Sequence, residues 1–259
     1  MSRRAPACAR ELFGAYADGP RRATPDRVDA VAPNGERRAF GPFERWDADE
    51  LGKTLCVYVY DGIDGVDDDA LVALAMRESR DAESMRVSNI GGFHSQPDVF
   101  ERERRETRAL AALAERAGAR AWEENDAKTT FVKSMMGRGD PAKVSTSWIN
   151  VCERAGDGHG LHNHANAVWS GVYYASAGDR GDDDDDVDEP GDLLLRVSAG
   201  GVDPMADTST GYCTYTCIKP KRGRLVVFPS WVLHGVLASP GGAPRVSFAF
   251  NTGETGVKF

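Results

Sequence analysis

Two hydrophobic rhythms divide the chain. From about residue 67 to 122, apolar residues return every three or four positions, the period of a helix face. Asp67-Asp68-Asp69 precede Leu71, Leu74 and Ala75, with Arg77 and Arg80 behind. Acids first and bases last suit a helix dipole and predict a first helix. A longer helix is predicted from about Asp98 to Trp122, opened by a capping box of Asp98 and Glu101. Its apolar face is Leu110, Leu113, Ala114, Ala117 and Ala121, and its charged side is a solvated face.

From about residue 143 the rhythm shortens to two, which predicts strands. Val144 to Val151, His164 to Tyr174, Leu193 to Leu195, Tyr212 to Ile218, Arg224 to Phe228, Trp231 to Val236 and Arg245 to Asn251 are such segments. Gly, Pro and Asp punctuate them. An earlier strand, Leu55 to Tyr60, closes on the Asp61-Gly62 turn signal. Short strands at this spacing predict a sandwich or barrel, and a jelly roll brings distant strand positions together at an open mouth. With the two helices the class is α+β. Residues 1–50, rich in Arg, Pro, Gly and Asp, read as an irregular lead-in. The main domain is 51–259, with helical and strand support at 51–142 and the jelly-roll core at 143–252.

Composition narrows the setting. The chain has 259 residues, enough for one sizeable core. A net charge of −8 argues against general nucleic-acid binding. Much of that charge sits in Asp182–Asp186, Asp188 and Glu189, which read as a solvated loop without the ligand spacing of a calcium site. Five cysteines, an odd count, and no secretory leader point to a reducing, cytoplasmic setting. Arg3, Arg4 and Arg10 weakly favour organelle import instead, against Glu11 and Asp18. No apolar run is long enough to span a membrane.

The candidate chemistry lies in His162-Asn163-His164, answered by His234 and Arg245-Val246-Ser247. Positions two apart on a strand share a face, so His162 and His164 are expected to point the same way and share an ion. His234 supplies a third imidazole from a distant strand. Arg245 and Ser247 share a face, where a guanidinium can grip a carboxylate through two parallel hydrogen bonds. Each piece alone has a plainer reading, as a packing or surface residue; their joint presence favours an open metal site of the iron-oxygenase kind. His94 reads as a polar packing residue and His159 as a loop residue outside the ligand set. Asp157, the nearest acid, could join only if its loop folds back.

These residues resemble the iron(II)/2-oxoglutarate-dependent oxygenases, whose core is a double-stranded β-helix, a jelly roll. The resemblance rests on Ser88-Asn89-Ile90-Gly91-Gly92-Phe93-His94-Ser95, Ser147-Trp148-Ile149-Asn150, His162-Asn163-His164, Ser170 to Tyr174, Gly223 to Trp231 with His234, and Arg245 to Asn251. It implies that His162, His164 and His234 bind iron(II). It implies that Arg245, with Ser247 beside it, holds the far carboxylate of 2-oxoglutarate, and that Tyr174 or Tyr173 and Asn150 line the co-substrate pocket. The activity implied is hydroxylation of a prime substrate with O2, releasing succinate and CO2. One departure matters. Most of the superfamily has a carboxylate where His164 stands. Three neutral ligands also suit a cupin-like dioxygenase or isomerase that uses no 2-oxoglutarate, or zinc. A non-catalytic, metal-stabilised β domain is the third reading.

Overall fold

The computed structural model describes residues 56–124, 140–179, 190–198 and 213–254, and four short strands within residues 21–47. Those four are β1 (Arg21–Ala23), β2 (Asp29–Val31), β3 (Arg37–Ala39) and β4 (Phe43–Asp47). They fall where the sequence shows no periodicity. Three-residue strands are too short to display alternation, and β1 and β4 are ordered by pairing with each other and, through β4, with β5 (Cys56–Tyr60). The acidic run Asp182–Glu189 lies outside the described residues.

Helix α1 spans Asp68–Asp81 and contains the predicted apolar and basic positions, Leu71, Leu74, Ala75, Arg77 and Arg80. Asp67 caps it by accepting a hydrogen bond from the Ala70 N–H at 3.0 Å. Helix α2 spans Arg105–Glu124, seven residues later than the capping-box signal at Asp98. The reason is local competition. The Val99 N–H donates to the Ser147 carbonyl and the Phe100 N–H to the Ser147 hydroxyl at 2.8 Å, so this backbone is tied to a neighbouring strand. The Asp98 carboxylate accepts from Arg102 Nε at 2.9 Å instead of from a helix N–H. Its pKa is held below the usual range, chiefly by that hydrogen bond.

The remaining strands are β6 (Asn89–Ile90), β7 (Phe93–His94), β8 (Val144–Cys152), β9 (Gly158–His162), β10 (Trp169–Ala177), β11 (Leu193–Ser198), β12 (Cys213–Ile218), β13 (Arg224–Pro229), β14 (His234–Val236) and β15 (Arg245–Thr252). They form an eight-stranded sheet in the order β1-β4-β5-β13-β10-β15-β8-β7 and a five-stranded sheet, β12-β11-β14-β9-β6. Pairing is antiparallel throughout both, as expected for a jelly roll. The predicted early strand β5 is inside the large sheet, beside β13.

Strand alternation sorts the core into two layers. On β5, Tyr58 and Tyr60 join the layer under the helices, whereas Val57 and Val59 face the second sheet. On β13 the same split sends Leu225 and Val227 to the helices and Val226 and Phe228 inward. Leu71 and Leu74 of α1 and Leu110 and Leu113 of α2 cover the first layer. All four are essentially inaccessible, and each such leucine contributes about 1.5–3 kcal/mol by burial. The helices therefore brace the outer face of the large sheet. The inner layer, with Leu193 and Leu195 from the small sheet, fills one part of the space between sheets. The rest of that space carries polar side chains.

A candidate metal centre between the sheets

The polar part of the inter-sheet space is a cavity lined by His162, His164 and His234 and, on the large sheet, by Asn150, Tyr174 and Arg245. The imidazole nitrogens of the three histidines lie within 4.8 Å of one another. Their ring centroids are 4.3 to 5.1 Å apart. One ion about 2 Å from each nitrogen fits such a group.

The route by which the chain assembles this group differs from the strand-face expectation. His162 ends β9, but His164 lies beyond it, in a turn. That turn is pinned by the His164 N–H donating to the Ser230 carbonyl at 2.9 Å and by the Ala167 N–H donating to the His164 carbonyl at 3.0 Å. The two rings meet edge to face because the chain curls, not because a strand alternates. His234 opens β14 and pairs directly with His162 across the sheet.

A β-bulge adjusts this pairing. From Val236↔His159 to His234↔His162, β14 advances two residues (236 − 234) and β9 three (162 − 159). The extra residue falls at Gly160-Leu161. It lets His159 and His162, three apart, both line the cavity. Gly235 is required here, because a Cβ there would sit 2.9 Å from the His159 carbonyl oxygen.

Hydrogen bonds set the tautomers of two rings. His162 Nδ1 lies 2.8 Å from the Gly160 carbonyl, and His234 Nδ1 lies 2.8 Å from the Val232 carbonyl. A carbonyl only accepts, so each Nδ1 carries the proton and each Nε2 keeps its lone pair for a metal. The protonation balance agrees. Burial, reinforced by His162, pushes His234 well below the usual imidazole value. Burial, with His162 and His94 behind it, pushes His164 down to about 4. His162 is lowered by burial against the opposing pull of its backbone hydrogen bond. Neutral imidazoles are what a divalent cation requires. The residues present therefore fit a metal ion.

The other expected site residues divide. Arg245 is 4% exposed, and Tyr174, Asn150 and Ser247 line the same cavity. Register explains this: Ser247 stands opposite Tyr174 on one side and Asn150 on the other. Arg245 Nη1 donates to the Gly191 carbonyl at 2.9 Å, and its Nη2 lies 3.1 Å from Cys152 Sγ. Arg245 Nε, the Tyr174 hydroxyl and Asn150 Oδ1 are buried without a hydrogen-bond partner among the described residues. Unmatched polar atoms converging on one cavity mark a place for a polar ligand. Burial pushes the Tyr174 phenol up to about 12, so it remains a donor. Tyr173 is not brought to the cavity. It points from β10 to the helix side and donates to Asp68 Oδ1 at 2.6 Å.

Asp157 does not join the histidines. Its carboxylate accepts from the Glu153 and Arg154 N–H groups at 3.0 and 2.9 Å, closing the turn between β8 and β9. His94 packs as expected, stacked on Trp148, whose ring also meets His164. Two residues of the cavity wall had no separate role in the sequence reading. His159, expected in a loop, is on β9, and Ser88 Oγ lies 3.3 Å from both His159 Nδ1 and His162 Nε2. Burial, then Arg245, push His159 down to about 3. The bulge that turns His159 inward has no sequence signal beyond Gly158 and Gly160 flanking it.

Comparison with known proteins agrees with this geometry. Residues 146–251, which include β9 to β14 in full and most of β8 and β15, match the family described as "Putative 2OG-Fe(II) oxygenase". No curated protein sequence matches the chain. Among solved structures, the chain is similar to the non-heme α-ketoglutarate-dependent epimerase SnoN from nogalamycin biosynthesis, in its complex with Fe3+, α-ketoglutarate and nogalamycin RO. Identity is 15%, the TM-score is 0.53, and the match covers 76% of this chain and 78% of that one. A Trichoplax adhaerens prolyl hydroxylase, in complex with a hypoxia-inducible-factor peptide, matches at 12% identity and TM-score 0.46, over 76% of this chain and 83% of that one. The SnoN likeness supports the double-stranded β-helix architecture.

Proposed function

From the premise that residues 146–251 carry a 2OG-Fe(II) oxygenase domain, we propose that the inter-sheet cavity is its working centre. In this reading His162, His164 and His234 hold iron(II), and Arg245 receives the far carboxylate of 2-oxoglutarate. The observation that carries it is the continuity of one cavity from three neutral imidazoles to a buried guanidinium. Bound together, iron(II), 2-oxoglutarate and O2 supply a two-electron oxidation of a substrate C–H bond, with succinate and CO2 as by-products.

The protein's own residues bind, orient and exclude water. Arg245 carries the positive charge at the closed side, so a dicarboxylate enters with its far end toward β15. Ser247 and Tyr174 stand beside the guanidinium, and their hydroxyls can donate to the same carboxylate. Tyr174 keeps its proton because burial disfavours the phenolate. Phe228 packs edge-on to His234 at 4.8 Å and Trp148 flanks His164, so apolar faces limit water around the imidazoles. His162 and His164 are half-buried whereas His234 is buried, which leaves the approach for the prime substrate on the His162–His164 side.

The three-histidine ligand set also favours a second reading, a dioxygenase or isomerase needing no 2-oxoglutarate. Arg245 separates the two, because a buried guanidinium that meets no carboxylate among the described residues, and whose Nε has no partner there, is suited to an incoming anion. The test is succinate formation from 2-oxoglutarate by the iron(II)-loaded protein, screened across a compound library. Protein that binds iron(II) but neither binds 2-oxoglutarate nor releases succinate with any candidate refutes the first reading.

A further inference from the structure

We propose that Cys152 is a positioning residue for the co-substrate anchor, holding the Arg245 guanidinium in the orientation that meets a carboxylate. This rests on the oxygenase reading above. Cys152 ends β8 and stands directly opposite Arg245 of β15 in the sheet register. Its sulfur lies 3.1 Å from Arg245 Nη2, and the Gly191 carbonyl takes Nη1 at 2.9 Å. Cys152 is 2% exposed and Arg245 4%, so water does not substitute for either contact.

Two anchors at the two terminal nitrogens fix the plane of a side chain that otherwise rotates about several bonds. They leave Nε–H buried with no partner among the described residues. A carboxylate gripped in parallel by Nε and one terminal nitrogen would use that unmatched donor. The chemistry of the anchors matters as much as their place. A thiol and a carbonyl are uncharged acceptors, so they orient the guanidinium without pairing off its charge. A carboxylate at position 152 would form a cross-strand ion pair and compete with the incoming anion. A sulfur is also a weak acceptor, which leaves the Nη2 protons available to share.

A residue that only fills space predicts otherwise. Its replacement would weaken every ligand of the cavity alike, or none. The experiment is calorimetric titration of manganese(II)-loaded protein with 2-oxoglutarate and with 2-oxobutyrate, which keeps the keto acid but lacks the far carboxylate. Wild type, Cys152→Ser, Cys152→Ala and Cys152→Asp are compared, with manganese affinity and melting temperature as controls. The alanine variant is expected to weaken 2-oxoglutarate about 3- to 30-fold, less than the roughly 10- to 150-fold of a full hydrogen bond to a charged group because sulfur is a weak acceptor and acts only by orienting Arg245, and to leave 2-oxobutyrate unchanged. Serine, a smaller acceptor, is expected within about threefold of wild type, and aspartate is expected to abolish 2-oxoglutarate binding while manganese still binds.

Equal losses for both keto acids, or wild-type affinity in the alanine variant, overturns the assignment. Should the alanine variant not fold, the serine and aspartate variants decide. Aspartate that binds 2-oxoglutarate as wild type does refutes it. Wild-type protein that binds manganese but no 2-oxoglutarate overturns the oxygenase reading and this assignment together; wild-type binding with indifferent variants overturns this assignment alone.

Discussion

Replacing Arg245 by Met tests whether the closed side of the cavity is an anion site. Methionine keeps much of the length and apolar stem of the side chain but removes its charge and donors. Among the described residues Arg245 uses Nη1 and Nη2 on Gly191 and Cys152 and leaves Nε unmatched. A bound carboxylate would therefore gain two charge-assisted hydrogen bonds at this guanidinium. At about 1.5–3 kcal/mol for each, the variant forfeits about 3–6 kcal/mol, or roughly 10²- to 10⁴-fold in affinity. The carboxylate would also have to lose its hydration in a buried place, which pushes the loss toward the upper end. The assay is calorimetry with manganese(II)-loaded protein, in parallel with metal titration. Arg245 touches none of the three histidines, so manganese affinity is expected to change by less than about threefold. A 2-oxoglutarate loss below about fivefold, with folding and metal binding intact, refutes the anion-site reasoning.

Three further outcomes follow from the same geometry. His164→Ala is expected to lower metal affinity by roughly 100-fold or more, beyond the range for an outer-shell change, whereas His164→Asp retains binding because a carboxylate is an alternative ligand; metal titration of both variants checks this. Metal-free protein should lose stability on acidification: His159 and His164 are depressed to about 3 and about 4, so the unfolded chain takes up protons first. Their contribution is complete above about pH 6.5 and fades as pH falls toward those values, which urea midpoints measured from pH 7 to 4 would show; a flat profile contradicts it. Gly171→Ala would put a Cβ 2.2 Å from the Phe250 ring and is expected to cost about 1–3 kcal/mol by overpacking, partly recovered by Phe250→Leu in chemical denaturation.

How much of the fold the sequence discloses depends on the range of the forces that decide each element. Helix α1 was legible because its cap, dipole charges and apolar stripe are all local, and the structure uses Asp67, Arg80, Leu71 and Leu74 as read. The start of α2 was not, because Asp98 and Glu101 imitate a capping box while Ser147, almost fifty residues away, takes the neighbouring N–H groups. Long strands with clear alternation, β8 and β15, were readable to within one residue, whereas the segment read from His164 to Tyr174 began five residues before β10. Two-residue strands such as β6 and β7 contain no period to detect and exist through their pairing with β9 and β8.

The site shows the same division between residue type and placement. Residue chemistry singled out His162, His164, His234, Arg245 and Ser247, the family resemblance added Asn150 and Tyr174, and the fold collects them around one cavity. Tyr173 and Tyr174 were interchangeable to a reading that had not assigned strand faces. Pairing with β15 and β13 assigns them, one to Asp68 beneath the helices and one to the cavity. The period-two argument for His162 and His164 reached the right neighbours by the wrong route, since His164 has already left the strand. That difference has a chemical consequence. At a turn held by Ser230 and Ala167, the His164 side chain is positioned by backbone hydrogen bonds, independently of the sheet's pleat. Replacing His164 by a shorter carboxylate can therefore be met by adjustment of the turn, while the same replacement at His162 or His234 would have to work against a fixed register.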